Sequence, residues 1–201
     1  KFFSFGLLVS SFPAYDRELE RQAEERARAE KFAEEGAIVY AADINESDLY
    51  WANEVIFESG KVHPLVLDIC DFQTVKSAVM EIKKNQGKID ILVNNAGLIS
   101  YELMPMIDYA KLRKMFEVNA IALIHFMAVV SRVMQRQQSG SIINMASGVA
   151  VKGAKGQLSY SATKGAVISA TLSGAKELAD NHIRVNAIAP GMVGTERFKN
   201  V

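Results

Sequence analysis

From Gly36 onward, short runs of Val, Ile and Leu alternate with longer segments of helical pattern, and this alternation constrains the fold more than any other feature. The runs are Ala37–Ala42, Val62–Leu67, Ile89–Val93, Ser141–Ala146 and Ile183–Ala189. Between them lie Leu49–Ser59, Phe72–Asn85, Tyr109–Gln137 and Ser159–Asn181, each long enough for a helix. Apolar runs without polar alternation suit strands covered on both faces, as strands of parallel sheets are. Strand, helix and strand in repetition imply right-handed crossovers, and so an α/β fold with a doubly wound parallel sheet.

The residues that close these runs are Asp43, Asp68, the Asn94-Asn95-Ala96-Gly97 stretch, Ser147 and Pro190-Gly191. In an open parallel sheet the carboxyl ends of the strands line the ligand crevice. Polar and turn-forming residues at successive strand ends therefore converge on one site. The 201 residues suffice for one domain with a sizeable core. Lys+Arg and Asp+Glu are 23 each, which argues against nucleic acid or an anionic membrane as partner. One cysteine, Cys70, excludes an internal disulfide, and His63, His125 and His182 are too scattered for a metal site. These features predict a cytoplasmic protein that works on a small molecule.

The amino end has a different texture. Lys1–Ala14 reads either as a short secretion signal or as a buried strand followed by a turn. Asp16–Glu35 holds thirteen charged residues, eight acidic and five basic, and has the composition of a long helix. Leu19, Ala23, Ala27 and Phe32 form a thin apolar stripe, and Glu24 and Arg28 are spaced as an i,i+4 pair on a solvated face. Val118–Val130 is apolar but interrupted by Asn119 and His125, so it reads as a buried or interface helix and not as a membrane span.

Tyr160 and Lys164 are four apart on a predicted helix, which puts them on one face about a turn apart. A phenol with an ordinary pKa near 10 is a poor proton-transfer group at neutral pH. A fixed ammonium favours the phenolate, and a shift to about 7 requires roughly 4 kcal/mol. Ser147 ends a strand thirteen residues before Tyr160, where its hydroxyl can bond a substrate oxygen as charge develops. No Gly-x-Ser-x-Gly elbow surrounds it, so a hydrolase is disfavoured.

Asn94-Asn95-Ala96-Gly97, Asn119, Ser147, Tyr160-x-x-x-Lys164 and Pro190-Gly191-x-x-x-Thr195 resemble, in order and spacing, the classical short-chain dehydrogenase/reductase family, over about Glu30–Phe198. The likeness is greatest to the ketoacyl-carrier-protein reductase and sugar or polyol dehydrogenase branch. The resemblance implies a single Rossmann-like three-layer α/β/α domain and a hydride-transferring oxidoreductase acting on an alcohol or carbonyl substrate. It implies that Tyr160 exchanges the proton and that Lys164 lowers its pKa and holds the nicotinamide ribose. Ser147 would polarise the substrate oxygen and Asn119 would hold a relay water. Asn95, Ala96 and Gly97 would lie along the cofactor, Asp68 and Ile69 at the adenine, and Pro190, Gly191, Val193 and Thr195 around the nicotinamide. Asp43 closes the second expected strand, where a carboxylate accepts from a ribose 2′-hydroxyl and repels a 2′-phosphate, favouring NAD over NADP. A plain Asx turn or helix cap is the other reading of Asp43. The apolar helix Met115–Met134 corresponds to a dimer interface in the family, which implies a homo-oligomer.

The sequence departs from the family at both ends. Counted back from Gly36, the three glycines of the phosphate-binding turn fall on Leu19, Ala23 and Glu25, and a placement at Ser10–Asp16 fares no better, since Gly6 is the only glycine before Gly36. Beyond Val201, family members continue into a lid segment and a final strand. A second reading therefore stands beside the oxidoreductase: an impaired or engineered scaffold, without a working dinucleotide site, in a structural or interaction role.

Overall fold

The computed structural model describes the backbone of residues 5–9 and 18–191, and side chains over 26–191. Strand β1 (Phe5–Val9) leads to helix α1 (Glu18–Glu34), β2 (Ile38–Asp43), a 3-10 helix (Glu46–Asn53) and β3 (Lys61–Val66). Then follow α2 (Phe72–Gln86), β4 (Ile91–Asn94) and α3 (Tyr109–Phe116). A π-helical segment (Glu117–Ala122) runs directly into α4 (Leu123–Gln137). The described chain closes with β5 (Gly140–Met145), α5 (Val149–Lys152), α6 (Leu158–Leu178) and β6 (Ile183–Ile188).

The strands form one parallel six-stranded sheet in the order β3-β2-β1-β4-β5-β6. The Phe-Gly-Leu-Leu-Val run is thus a central strand, paired with both β2 and β4. The chain winds outward from β1 through β2 to β3, then returns to β4 and winds the other way. The ends of β1 and β4 meet at Val9 and Asn94, so the crevice expected at such a switch point opens there.

Alternation along the strands separates two cores. Val39, Ala41, Val62 and Val93 face α1 and the 3-10 helix, where Ala29, Ala33, Leu49 and Ala52 meet them. Ala42, Leu92 and Ile142 face the other way, against Val75 and Val79 of α2, Phe126 and Val130 of α4, and Val167 of α6. Each fully buried side chain of Val, Leu, Ile or Phe size contributes about 1.5–3 kcal/mol.

Several expectations are corrected. The outer strands are not covered on both faces: β3 alternates, with Val66 54% exposed, because it is an edge. Pro64 is tolerated on such an edge because no outer neighbour needs its missing N–H. The helix expected at Leu49–Ser59 is the 3-10 helix Glu46–Asn53, which ends as the Glu54 N–H turns back to the Trp51 carbonyl at 3.1 Å. The buried stripe of α1 consists of Ala29 and Ala33 with Phe32 beside them, while Ala27 is exposed. The side chains of Leu19, Ala23 and Glu24 lie outside the described residues. The helix from Tyr109 to Gln137 is, after all, long and apolar enough to cross a membrane, but most of its apolar window is buried within the fold. It covers the sheet as a core helix does.

Alanine-lined α1 sits close to the chain that enters β3. A Cβ at Gly60 would overlap the backbone carbonyl of Ala33, which cannot swing aside as a side chain can. Gly60→Ala is therefore expected to destabilise the protein by about 1–3 kcal/mol, read as a lowered urea midpoint at unchanged slope. An unchanged midpoint would contradict the packing described.

Candidate active site

The carboxyl ends of β4 and β5, the π-helical segment and the first turns of α6 enclose a buried polar cluster. Its anchor is Asn119, a wholly buried side chain. The Asn119 Oδ1 accepts from the Leu98 N–H at 2.6 Å, and its Nδ2 donates to the Leu98 carbonyl at 2.8 Å. The same Nδ2 donates to the Thr163 hydroxyl at 2.9 Å. That hydroxyl in turn donates to the Tyr160 carbonyl at 2.8 Å. The π turn widens the helix at Asn119, as such bulges often do beside functional sites. Asn119 thus braces the loop after β4 against α6.

Tyr160 and Lys164 occupy one face of α6, with the Lys164 ammonium 5.9 Å from the phenol ring centre. Ser147 follows β5 and hydrogen-bonds the Tyr160 side chain. The sequence predicts a phenol with lowered pKa; the structure gives the opposite. Burial pushes Tyr160 up, the Ser147 hydrogen bond pulls it down by less, and Tyr101 nearby adds to the rise. The Lys164 ammonium donates to the Met145 carbonyl at 2.6 Å. Burial lowers the pKa of Lys164 itself to about 8. At neutral pH the site therefore holds a protonated phenol beside a weakly held ammonium proton.

The remaining predicted residues ring this cluster. Gly97 approaches so closely that a Cβ there would stand 3.1 Å from the Lys164 Nζ. The Pro190 carbonyl accepts from the Gly148 N–H at 2.8 Å, and this ties the chain after β6 to the loop carrying Ser147. Gly191 is exposed beside it. Val193 and Thr195 lie outside the described residues. Farther along the edge, Asp43 is buried, and its Oδ1 accepts from the Asn45 N–H at 3.0 Å in a local turn. Asp68 makes the same kind of turn with the Cys70 N–H at 2.8 Å. Ala96 is buried. Ile69 is 1% exposed and packs into the core, so its side chain does not meet the crevice as expected. Asn95 accepts from the Arg28 guanidinium at 2.8 Å, so Arg28 is not on the solvated face to which its spacing pointed.

Sequence reasoning missed a second buried chain of amides. Asn94 Nδ2 donates to Asn144 Oδ1 at 2.8 Å, and Asn144 Nδ2 donates to Thr171 Oγ1 at 2.9 Å. These bonds join β4, β5 and α6 beneath the site. The available signal was an asparagine inside each of two apolar runs, because an amide buried in a strand must find a partner.

A nicotinamide dinucleotide fits this edge in part. The Lys164 ammonium, glycine-narrowed at Gly97, matches a ribose hydroxyl at the catalytic end, and the Asp43 carboxylate matches a ribose at the other. The positions of the glycine turn counted back from Gly36 lie inside α1, where amides beyond the first helical turn are bonded within the helix, while the residues that join β1 to α1 lie outside the described ones. No glycine backbone is presented there to the bridging phosphates.

The family model described as short chain dehydrogenase matches residues 26–201. The chain is 38% identical over 168 residues to the 3-oxoacyl-[acyl-carrier-protein] reductase FabG of Thermotoga maritima, covering 82% of this chain and 67% of that protein. It is 37% identical over 174 residues to the galactitol 2-dehydrogenase of Agrobacterium fabrum, covering 86% and 67%. Among solved structures, NAD+-bound xylitol dehydrogenase superposes with a TM-score of 0.86 at 29% identity, covering 96% of this chain and 72% of that one.

Burial of Lys164 has a sign that can be checked. Its folded pKa lies below the unfolded value, so the folded state binds fewer protons between about pH 8 and 10.5. Below that window the buried charge costs stability in full, and the cost is relieved as pH rises through it. The stability of the wild-type chain relative to Lys164→Met is expected to rise by about 2 kcal/mol between pH 7 and pH 9.5 in urea titrations. A difference that stays flat with pH would show that Lys164 is not held in a desolvated site.

Proposed function

The chain belongs to the short-chain dehydrogenase family, and we propose that it is a nicotinamide-dependent oxidoreductase interconverting a secondary alcohol and a ketone. The observation that carries this reading is the grouping of Ser147, Tyr160 and Lys164 at the carboxyl edge of β5, braced from behind by Asn119. Bound at this edge, the nicotinamide supplies or accepts the hydride.

The protein's own part is to manage the oxygen. Burial keeps Tyr160 protonated at neutral pH, so it can give its proton to a carbonyl oxygen as negative charge develops there. Ser147, already bonded to the phenol, offers the same oxygen a second hydrogen bond. Lys164 secures the Met145 carbonyl and with it the end of the strand that carries Ser147. In the oxidative direction the phenol must lose its proton, and a substrate-filled site with a cationic ring nearby would favour the phenolate. Asp43, Asp68, Asn95, Ala96 and Gly97 would hold the adenosine side, with Pro190, Gly191, Val193 and Thr195 at the nicotinamide end. The Asp43 carboxylate supports NAD over NADP.

The rim beside Tyr160 carries apolar side chains, with Lys152 and Lys155 exposed among them. Tyr101, Leu103 and Met104 are exposed on the segment after β4, and the Glu102 N–H ties that segment to the Gly156 carbonyl at 2.8 Å. Val151 and Leu158 are exposed on the facing elements. This supports a ketone with an apolar chain, the chemistry named by the acyl reductase relatives, over a polyol. The scaffold reading, with no working dinucleotide site, rests on the helix that occupies the glycine positions. A cytoplasmic location fits a soluble enzyme of this kind.

Tyr160→Phe is expected to lower turnover by about 10²–10⁴-fold while NADH binding, followed by fluorescence, is retained. Retained turnover would refute Tyr160 as the proton donor. Self-association is proposed through the helix around Met115–Met134, where Ile121 and Ile124 are 43% and 49% exposed on its outer side. Light scattering at high micromolar concentration should report a dimer or larger species, and a monomer would contradict it.

A further inference from the structure

Helix α1 places a cation at the one point where a dinucleotide crosses the sheet. Among the described basic side chains of α1, Arg26 is bonded to Glu30 at 2.7 Å and lies over Trp51, and Lys31 is bonded to Glu34 and Glu35. Both stay on the helix surface or its flank. Arg28 alone of these turns toward the sheet, and its Nη1 donates to Asn95 Oδ1 at 2.8 Å. Asn95 directly follows the last residue of β4, which pairs with the last residue of β1. The guanidinium therefore stands over the switch point, between the first helix and the fourth strand. In a sheet of this order the phosphates of a dinucleotide lie across that gap.

Phosphates are ordinarily met there by glycine-turn amides and the free N–H groups of a helix N-terminus. In this chain α1 begins at Glu18, so its free amides lie at 18–21, about two turns before Arg28. Among the described side chains of α1, the Arg28 guanidinium is the cation turned toward this crossing: it is always charged, and its planar fork can bind two phosphate oxygens at once.

We propose that Arg28 is the phosphate-binding residue of this chain, replacing the glycine turn with a side-chain cation that Asn95 holds in readiness. The proposal rests on the nicotinamide-dinucleotide reading given above. It assigns the phosphate contact to a side chain, so affinity should depend on that charge and on salt, whereas affinity for adenosine, which has no phosphate, should not.

The test is equilibrium binding to the whole chain, with NADH followed by fluorescence and ADP and adenosine followed by calorimetry. Arg28→Gln is expected to weaken NADH and ADP at least about tenfold and to leave adenosine unchanged. Arg28→Lys, which keeps the charge and loses the fork, should fall between, and wild-type affinity for NADH should drop as salt rises. Equal affinity in Arg28→Gln would overturn the role of Arg28 while leaving the cofactor reading intact. Tighter binding in Arg28→Gln would also overturn it, by showing that the side chain obstructs the cleft. Absence of saturable NADH binding to the wild-type chain would overturn both. Should Arg28→Gln fail to fold, the lysine variant and the wild-type salt dependence decide the matter: NADH affinity unaffected by either refutes the proposal.

Discussion

The grip of Asn119 on Leu98 is the interaction on which the active edge depends. A single buried amide satisfies both the N–H and the carbonyl of the loop after β4, and with its second N–H proton it reaches Thr163 on α6. Thr163 lies between Tyr160 and Lys164 in the chain, so this one side chain fixes the β4 loop relative to the helix that carries both. Below it, Asn144 bonds Asn94 and Thr171 and ties the same helix to the two strands. In a low-dielectric interior such bonds are strong, and each unmade one is costly, so the two seams hold a single arrangement. The π turn is the backbone's accommodation of that requirement, because it brings Asn119 inward without ending the helix.

Burial governs the chemistry of the site as much as geometry does. Lys164 is desolvated, which drives its pKa down, and Tyr160 is desolvated, which drives its pKa up. The two shifts move the pair apart, so that the Lys164 ammonium is the more readily deprotonated and the Tyr160 phenol the more firmly protonated of the two. Spacing alone suggested a phenolate-stabilising ammonium, because it could not reveal how deeply Tyr160 is buried.

Much of the fold was legible from residue order. The apolar runs became β2, β3, β4, β5 and β6 with boundaries shifted by at most two residues, and the polar groups at their ends do line one edge. The failures have a common cause. Edge strands, the 3-10 helix after β2 and the buried stripe of α1 depend on what each element touches, and periodicity carries no such information. Ala29 and Ala33, not Ala27, face the sheet because Gly60 admits the helix at that rotation. Ile69 was read as a cofactor neighbour for its place after Asp68, yet its side chain turns into the core.

By itself the sequence determined the class of fold, the edge on which its polar strand-end residues gather, and the family, since strand periodicity and fixed motif spacing are local properties of a chain. Tertiary structure alone decided what those residues do to one another. Only packing could show a proton-holding Tyr160, an Asn119 that braces the loop after β4, and an Arg28 drawn across from α1 to Asn95. Desolvation and partner choice arise between segments far apart in the chain, and no local pattern encodes them.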